Sequence, residues 1–285
     1  MLIDQDCIAC IINQSVKVAD AIEANDTLRH NLLSHVEKLS KDFSLQQNPP
    51  QIAAYVYKDM AKIAQKNDLY EEVKKSSTQK ALSFLPLLQN KLSHSQNILE
   101  TATKIAVAGN VIDLAAEVMF DLEEELAKIF DTQFADNDIE KLDKLLVKAK
   151  KVVVLGDNVG EHIFDYLYVQ TLQKLYPNIT FYYFVRTLPI INDVTLKEAH
   201  EAKFDKLCEV VDSGVDTPGF DYERASENAK KLFDEADLVL SKGMGNYECL
   251  SPSHKKNICF LLKVKCGVVA NSLGRELGDI VCKIV

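Results

Sequence analysis

Apolar residues recur at helical spacing through most of the first half of the chain. After Asn48, Pro49 and Pro50, the residues at positions 52, 56, 60 and 63 are apolar. Asparagine often caps a helix and proline is tolerated in its first turn, so the pattern predicts a helix that begins here. A further helical series covers residues 98–119, and another covers residues 139–150. The first half is therefore predicted to be helical.

The second half contains short, almost wholly apolar runs separated by helical stretches. The runs lie at residues 151–155, 180–185, 208–211, 238–240 and 267–270. Helical patterns occupy residues 161–175 and 222–233. Strands that are apolar on both faces are typical of a parallel sheet covered by helices. The pattern predicts an α/β fold class, with a helical domain over residues 1–148 and an α/β domain over residues 149–285.

The distribution of glycine marks the same division. Gly109 is the one glycine among residues 1–150, and the other nine glycines follow. Glycine destabilises helix interiors and is useful in turns that approach ligands closely. A length of 285 residues also fits about two domains of ordinary size.

Composition and charge exclude several classes of protein. Hydrophobic residues make up 47% and charged residues 26%, which favours a globular chain over a disordered one. The net charge of −9 argues against a non-specific nucleic-acid binder, because such proteins neutralise phosphates with excess Lys and Arg. No apolar run approaches the roughly 18 residues of a membrane-spanning helix, and the N-terminus lacks the basic region of a signal peptide. We expect a cytoplasmic protein with no nucleic-acid or membrane partner and with its seven cysteines as thiols; the oligomeric state stays open.

Polar loops follow three of the predicted strands. Residues 156–161 follow the first strand, residues 186–193 the second and residues 242–248 the fourth. Right-handed connections bring the carboxyl ends of parallel strands to one edge of a sheet, where open α/β sheets bind their ligands. The three loops are therefore expected to converge.

Each loop taken alone also has an ordinary structural explanation. Asn158 fits a helix cap that Glu161 completes, and Asn192-Asp193 fits an Asx turn. Lys242, before a glycine, fits a plain strand-to-helix turn. The co-occurrence of all three loops at one edge favours a binding site over three unrelated turns.

The side chains of these loops suit a hard divalent metal ion. Asp157 and Asp193 supply carboxylates, and Asn158 and Asn192 supply one or two amide oxygens, which Mg²⁺ and Mn²⁺ prefer. A zinc site of histidines and cysteines is disfavoured there. A divalent ion orients a phosphate and activates water, and Lys242 would offset charge on the transferred phosphoryl oxygens.

A dinucleotide site is a weaker interpretation of the first loop. Residues 153–156 resemble the opening of such a site, but Gly156 and Gly160 stand four residues apart with an acid between them. The second strand ends in Arg186 rather than in the acid that contacts a ribose. A nicotinamide cofactor is therefore disfavoured.

Together the motifs resemble the damage-control metal-dependent phosphatases, a family formerly catalogued as domain of unknown function 89, and its stand-alone microbial type in particular. The resemblance rests on Gly156-Asp157-Asn158-x-Gly160-Glu161, Arg186-x-x-Pro189-x-x-Asn192-Asp193 and Lys242-Gly243-x-Gly245-Asn246-Tyr247-Glu248. The segment 106–113, which holds Asn110 and Asp113, resembles a further family motif in the helical part. The motifs keep the family's order and spacing over most of the chain.

The resemblance implies both a fold and an activity. The fold is a helical portion joined to a three-layer α/β/α portion with a mostly parallel, Rossmann-like sheet. The activity is hydrolysis of a small phosphometabolite with Mn²⁺, Co²⁺, Ni²⁺ or Mg²⁺; the substrate would be a sugar phosphate, a phosphopantetheine-like compound or a damaged phosphate ester.

The resemblance also implies roles for particular residues. The metal ligands are Asp157, Asn158 and Asp193, and the catalytic residues are Asp157 and Lys242. The residues expected to bind substrate are Asn110, Asp113, Arg186, Asn192, Lys242, Gly243 and Asn246. One position departs from the family: many relatives have glutamine where this chain has Met244, whose side chain cannot donate a hydrogen bond.

Two other functions stay open. An S-adenosylmethionine-dependent carboxyl methyltransferase, which has been proposed for some relatives, is opposed by the missing Gly-x-Gly turn after the first strand. A non-catalytic metal- or phosphate-binding module is opposed by the intact set of acid, amide and acid. Cys7 and Cys10 share one helical face and fit core packing, a structural or redox role, or metal binding.

Overall fold

A computed structural model describes residues 1–112 and 119–285 of the chain. The helices are α1 Gln5–Ala21, α2 Asp26–Leu39, α3 Pro49–Ala64, α4 Glu71–Ser93, α5 Ile98–Ile112, α6 Met119–Asp131, α7 Ile139–Lys148, α8 Glu161–Leu175, α9 Leu196–Glu201, α10 Glu227–Glu235, α11 Gly243–Leu250 and α12 Gly267–Leu273. The strands are β1 Asp136–Asn137, β2 Lys151–Leu155, β3 Thr180–Val185, β4 Glu209–Asp212, β5 Leu238–Lys242, β6 Ile258–Lys263 and β7 Ile280–Ile284.

The seven strands form one mostly parallel sheet. Their order is β1-β7-β6-β5-β2-β3-β4. Neighbours are parallel except for β6 and β7, which are antiparallel. From β2 the chain builds β3 and β4 to one side, and β5 and β6 to the other side. The sheet therefore has a topological switch point between β2 and β5.

Helices cover both faces of the sheet. Val152 and Val154 of β2 belong to a buried cluster that includes Ile105 of α5 and Phe164 of α8. The residues between and after them, Val153 and Leu155, belong to a second cluster with α10 and α12. Successive residues of a strand point to opposite faces, so a strand buried on both faces is apolar throughout. The predicted three-layer α/β/α portion is confirmed.

The described part of the N-terminal portion is built from helices α1–α6, as predicted, and residues 113–118 of the predicted helical series lie outside the described residues. The cap at its third helix is also confirmed: the Asn48 side chain accepts from the amide of Gln51, and the Gln51 side chain accepts from the amide of Asn48. Helices α1–α3 share a third cluster, which also includes Ile190 of the loop between β3 and α9. Helices α4 and α5 instead belong to the cluster that covers the sheet. The domain boundary between residues 148 and 149 stays a prediction.

One strand prediction is wrong. Residues 267–270 lie in α12 rather than in a strand. The Cys266 side chain accepts from the amide of Val269 at the start of this helix, and Gly274 ends it in the left-handed conformation. Four apolar residues in a row do not distinguish a short helix from a strand. The strands that the sequence prediction missed are β1, β6 and β7.

The sequence also led us to expect reduced cysteines and no membrane-spanning helix. All seven cysteines are thiols; Cys7 is buried and Cys10 is exposed on α1. Within residues 1–112 and 119–285, each helix is too short or insufficiently apolar to cross a bilayer.

A buried ion pair connects the helical portion to α9. The Lys74 ammonium lies 2.9 Å from Asp68 Oδ2 and 3.7 Å from Glu198 Oε1. Glu198 Oε2 in turn accepts from the amide of Thr195 at 3.0 Å, two residues after Asp193. Lys74 therefore supports the loop that carries Asp193.

We expect Lys74→Met to lower the free energy of unfolding by about 2–4 kcal/mol, because it leaves two mostly buried carboxylates without their cation. Urea denaturation at pH 7 measures the effect. Lys75→Met is the matched control, since Lys75 pairs with Glu71 and Glu72 at the exposed surface and its removal should change little. Equal losses in the two variants would contradict the expectation.

Candidate active site

The loops after β2 and β3 pair through a short stretch of antiparallel backbone. Asn158 and Asp193 are partners in an isolated bridge. The amide of Val194 donates to the carbonyl of Asp157 at 2.9 Å. These contacts bring together Asp157, Asn158 and Asp193, which are distant in the sequence. All three lie beside the switch point, where ligands bind in open α/β sheets.

The third loop reaches the same point through a glycine. Gly243, directly after β5, has φ +72°, and a Cβ atom built there would lie 1.8 Å from Asp157 Oδ2. Any larger residue would displace the carboxylate, and an L side chain would also strain this backbone conformation. The three predicted loops therefore converge.

The converged carboxylates are buried and repel one another. Asp157 is 7% exposed and Asp193 is 2% exposed. Burial raises the pKa of Asp157 well above its ordinary value, and the negative charges of Glu161 and Asp193 raise it further, whereas the cations of Arg186 and Lys265 oppose the shift. A cation at this point would offset the repulsion.

Arg186 connects the second loop to the third. Its Nε donates to Asp193 Oδ2 at 2.8 Å, and its Nη2 donates to Asn246 Oδ1 at 3.3 Å. Asn246 Nδ2 in turn donates to the carbonyl of Gly156 at 3.0 Å, in the first loop. The side chain of Arg186 is 1% exposed, and its Nη1 has no hydrogen-bond partner among the described residues. This orphaned donor suits an anionic ligand.

Lys242 faces a different set of groups from the one that the sequence suggests. Its ammonium is fully buried and donates to Glu161 and, at 2.6 Å, to Asp165 Oδ1. Tyr183 donates its hydroxyl to Asp165 Oδ2 at 3.0 Å. Burial acts to lower the pKa of Lys242, but the two carboxylates outweigh it and raise that pKa above its ordinary value. Burial raises the pKa of Asp165 to about 6, with the Lys242 charge opposing. A role for Lys242 beside a phosphate stays a prediction.

The sequence contained a signal for these partners. Glu161 and Asp165 are four residues apart on α8, so they share one face of a helix whose first half is almost wholly buried. Two acids on a buried face favour a buried cation as their partner.

A family model described as "Damage-control phosphatase ARMT1-like domain" matches residues 3–281. The chain belongs to this family. The resemblance seen in the loop motifs is therefore confirmed.

Similar proteins extend over the whole chain. The "Damage-control phosphatase PH1575" of Pyrococcus horikoshii is 29% identical over 284 residues, covering 99% of this chain and 98% of that protein. A "Damage-control phosphatase" of Archaeoglobus fulgidus is 30% identical over 291 residues, covering all of both chains. The crystal structure of PH1575, described as a DUF89 family protein, superposes with a TM-score of 0.90 at 28% identity and covers 100% of this chain and 99% of that one. The names of these relatives support a phosphatase role for this chain.

Gly109 now has a structural reason. Helix α5 continues through it, and a Cβ atom built there would lie 2.7 Å from Glu161 Cγ. The lone glycine of the first half lets α5 approach α8 beside the candidate site, so it is not a helix break.

A fourth loop, not predicted from the sequence, also lies at the site. The amide of Phe220 donates to Asn246 Oδ1 at 2.7 Å, and a Cβ atom at Gly245 would lie 1.9 Å from the carbonyl oxygen of Pro218. The loop also binds the helical portion, since Gln51 Nε2 donates to Asp221 Oδ2 at 2.7 Å. The signal was a Thr-Pro-Gly turn soon after the third predicted strand.

The structure places some of the other residues that the sequence assigned to the substrate site, but not all of them. The side chains of Asn110 and Asp113 lie outside the described residues. Asn192 is buried, and its carbonyl accepts from the amide of Val159 at 2.8 Å. Met244 contacts the chain itself, since its Sδ accepts from the amide of Lys265 at 3.3 Å. The substrate roles of Asn192, Gly243 and Asn246 stay predictions.

Proposed function

We propose that this chain hydrolyses a small phosphate ester with a divalent metal ion held by Asp157, Asn158 and Asp193. The observation that carries the proposal is the meeting of two buried carboxylates and one amide beside the switch point of the sheet. The phosphatase names of the relatives support the reaction class. The proposed substrates are a sugar phosphate, a phosphopantetheine-like compound or a damaged phosphate ester.

The donor set fits a hard divalent ion. Carboxylate and amide oxygens are preferred by Mg²⁺ and Mn²⁺, and Co²⁺ and Ni²⁺ are further family expectations. The raised pKa of Asp157 has burial and neighbouring negative charge as its causes, and the positive charge of a bound cation would offset their effect. Among the described residues no group of three or more His, Cys, Asp or Glu side chains is arranged for a metal ion. The Asn158 amide is therefore needed to complete the proposed set.

The protein's own groups have distinct tasks in this proposal. When bound, the ion supplies positive charge that polarises the phosphate ester and a nearby water molecule. Arg186 orients Asp193 through its Nε. It offers to a phosphoryl oxygen its Nη1, which has no hydrogen-bond partner within the described part of the chain. Asn246 holds the guanidinium in place. The burial of these groups strengthens each charge interaction relative to water.

Removal of the metal provides the direct test. We expect EDTA to abolish hydrolysis of p-nitrophenyl phosphate, and Mn²⁺, Co²⁺, Ni²⁺ or Mg²⁺ to restore it. The same ion should raise the melting temperature, because a ligand at a hundred times its Kd stabilises the folded state by about 2.7 kcal/mol. A panel of phosphorylated metabolites then identifies the substrate class.

Three outcomes would reject parts of the proposal. Full activity after chelation would exclude the metal. Stabilisation by Mn²⁺ without turnover of any ester would favour the non-catalytic binding module. Tight binding of S-adenosylmethionine without metal, in calorimetry, would favour the methyltransferase.

A further inference from the structure

We infer that His162 is a positioning residue for the proposed metal ion: its ring accepts the amide hydrogen of Gly160 and thereby leaves the side-chain oxygen of Asn158 free to bind the ion. The inference rests on the proposed function. His162 lies directly after the first loop motif and is not among the residues that the motifs assign to the site.

An asparagine in the position of Asn158 commonly bonds to its own backbone. Its side-chain oxygen readily accepts from the amide two residues ahead, in an Asx turn, or from the amides that open a helix. For Asn158 the amide two residues ahead belongs to Gly160, directly before α8. Such a bond would hold the Asn158 side chain against its own backbone, in competition with a metal ion.

The structure gives the Gly160 amide a different acceptor. Helix α8 has Gly160 as its N-cap and no side-chain cap. The amide of Gly160 donates to His162 Nδ1 at 2.9 Å. Asn158 Nδ2 donates to Asp157 Oδ2 at 3.0 Å, and Asn158 Oδ1 accepts no hydrogen bond from any residue in the described ranges. His162 therefore supplies the bond that Asn158 would otherwise supply.

The backbone around Gly160 is enclosed. Gly160 is buried with φ +95°, and a Cβ atom built there would lie 3.0 Å from Ser77 Cβ on α4. The amide of Val159 donates to the carbonyl of Asn192 at 2.8 Å, and the amide of His162 donates to the carbonyl of Asn158 at 3.1 Å. Because a buried amide needs an acceptor within the protein, the Gly160 amide must bond to one of its few neighbours.

The imidazole ring of His162 is suited to accept this bond. The residue is only 1% exposed, and burial lowers the pKa of His162 to about 4, with the charge of Glu198 opposing the shift. The ring is therefore neutral at pH 7. A neutral imidazole has one acceptor nitrogen, which is Nδ1 here, and carries its proton on the other nitrogen, Nε2.

The test removes the acceptor and measures metal binding directly. His162→Leu keeps a side chain of moderate size without an acceptor, so the Gly160 amide should turn to Asn158 Oδ1. We expect the dissociation constant of Mn²⁺, measured by calorimetry, to rise by about ten- to a hundredfold, the range for loss of a group that orients a metal ligand. The value of kcat at saturating Mn²⁺ should change much less, because the proposed ligands are all retained.

Two further variants separate the acceptor from the shape of the ring. His162→Asn restores an oxygen acceptor near the position of Nδ1 and should recover most of the Mn²⁺ affinity. His30→Leu makes the same change as His162→Leu at an exposed position on α2 and should leave the affinity unchanged. An unchanged dissociation constant in His162→Leu would overturn the inference while the proposed function stands. Equal losses in His162→Leu and His162→Asn would also overturn it, because the shape of the ring would then be responsible.

A measurement on the unmodified, metal-free chain is independent of how the variants fold. Nitrogen NMR of ¹⁵N-labelled histidine at pH 7 should show His162 as the neutral ring with its proton on Nε2. A proton on Nδ1 would overturn the inference, because that nitrogen could not accept from Gly160. An unmodified chain that binds no Mn²⁺ in calorimetry would overturn both proposals, whereas Mn²⁺ binding without hydrolysis of any ester would reject the phosphatase activity alone.

Discussion

Replacing Asp157 with asparagine should reduce metal-dependent hydrolysis by about a hundred- to a thousandfold, the loss typical of removing a group that stabilises transition-state charge. Asparagine keeps the shape of the side chain but removes the charge proposed to hold the ion. The measurement is kcat/KM with Mn²⁺ on the best ester of the substrate panel. The melting shift caused by Mn²⁺ should disappear in the same variant.

The same substitution should not destabilise the metal-free fold. Burial and two negative neighbours raise the pKa of Asp157, so the folded state favours its protonated form. Its contribution to stability is fully present below the unfolded pKa of about 3.9 and is lost as pH rises through the raised folded pKa. Without metal, the free energy of unfolding of the unmodified chain should therefore fall relative to that of Asp157→Asn as the pH rises from about 3.9 through the raised folded pKa.

The control for this prediction is Asp6→Asn, which removes an exposed acid on α1 and should behave like the unmodified chain in both assays. Near-normal hydrolysis in Asp157→Asn would reject the metal assignment. A metal-free Asp157→Asn variant that is less stable at neutral pH would show instead that the carboxylate is structurally required.

Lys242→Met should lower the free energy of unfolding by about 3–5 kcal/mol, the cost of leaving buried carboxylates without their cation. Glu161 and Asp165 are as deeply buried as the lysine, so water cannot solvate them once the ammonium is gone. Urea denaturation at pH 7 is the measurement.

A compensating variant separates charge from packing. Adding Glu161→Gln and Asp165→Asn to Lys242→Met removes the unpaired charges and should recover most of the lost stability. Lys151→Met, which breaks an ion pair with Glu235 at the protein surface, should have little effect. If the triple variant is as unstable as Lys242→Met alone, the loss comes from packing rather than from uncompensated charge.

The helices and strands that were predicted correctly follow from local patterns of apolar and polar residues. Helix α8 begins and ends at the predicted residues, 161 and 175, and β2 and β3 also match. Their apolar runs are bounded by glycine-rich or polar turns, so the ends of these elements can be predicted from the sequence. Residues 267–270 are bounded less clearly, and there a short helix replaced the predicted strand.

The sequence by itself determined the family, the alternation of strands and helices, and the convergence of Asp157, Asn158 and Asp193, because parallel topology brings the loops after the strands to one edge. Only the tertiary structure decided which partner each charge has. It placed Lys242 between Glu161 and Asp165 and paired Arg186 with Asp193. Burial and pairing depend on contacts between residues that are far apart in the chain, and no local pattern of residue types encodes them.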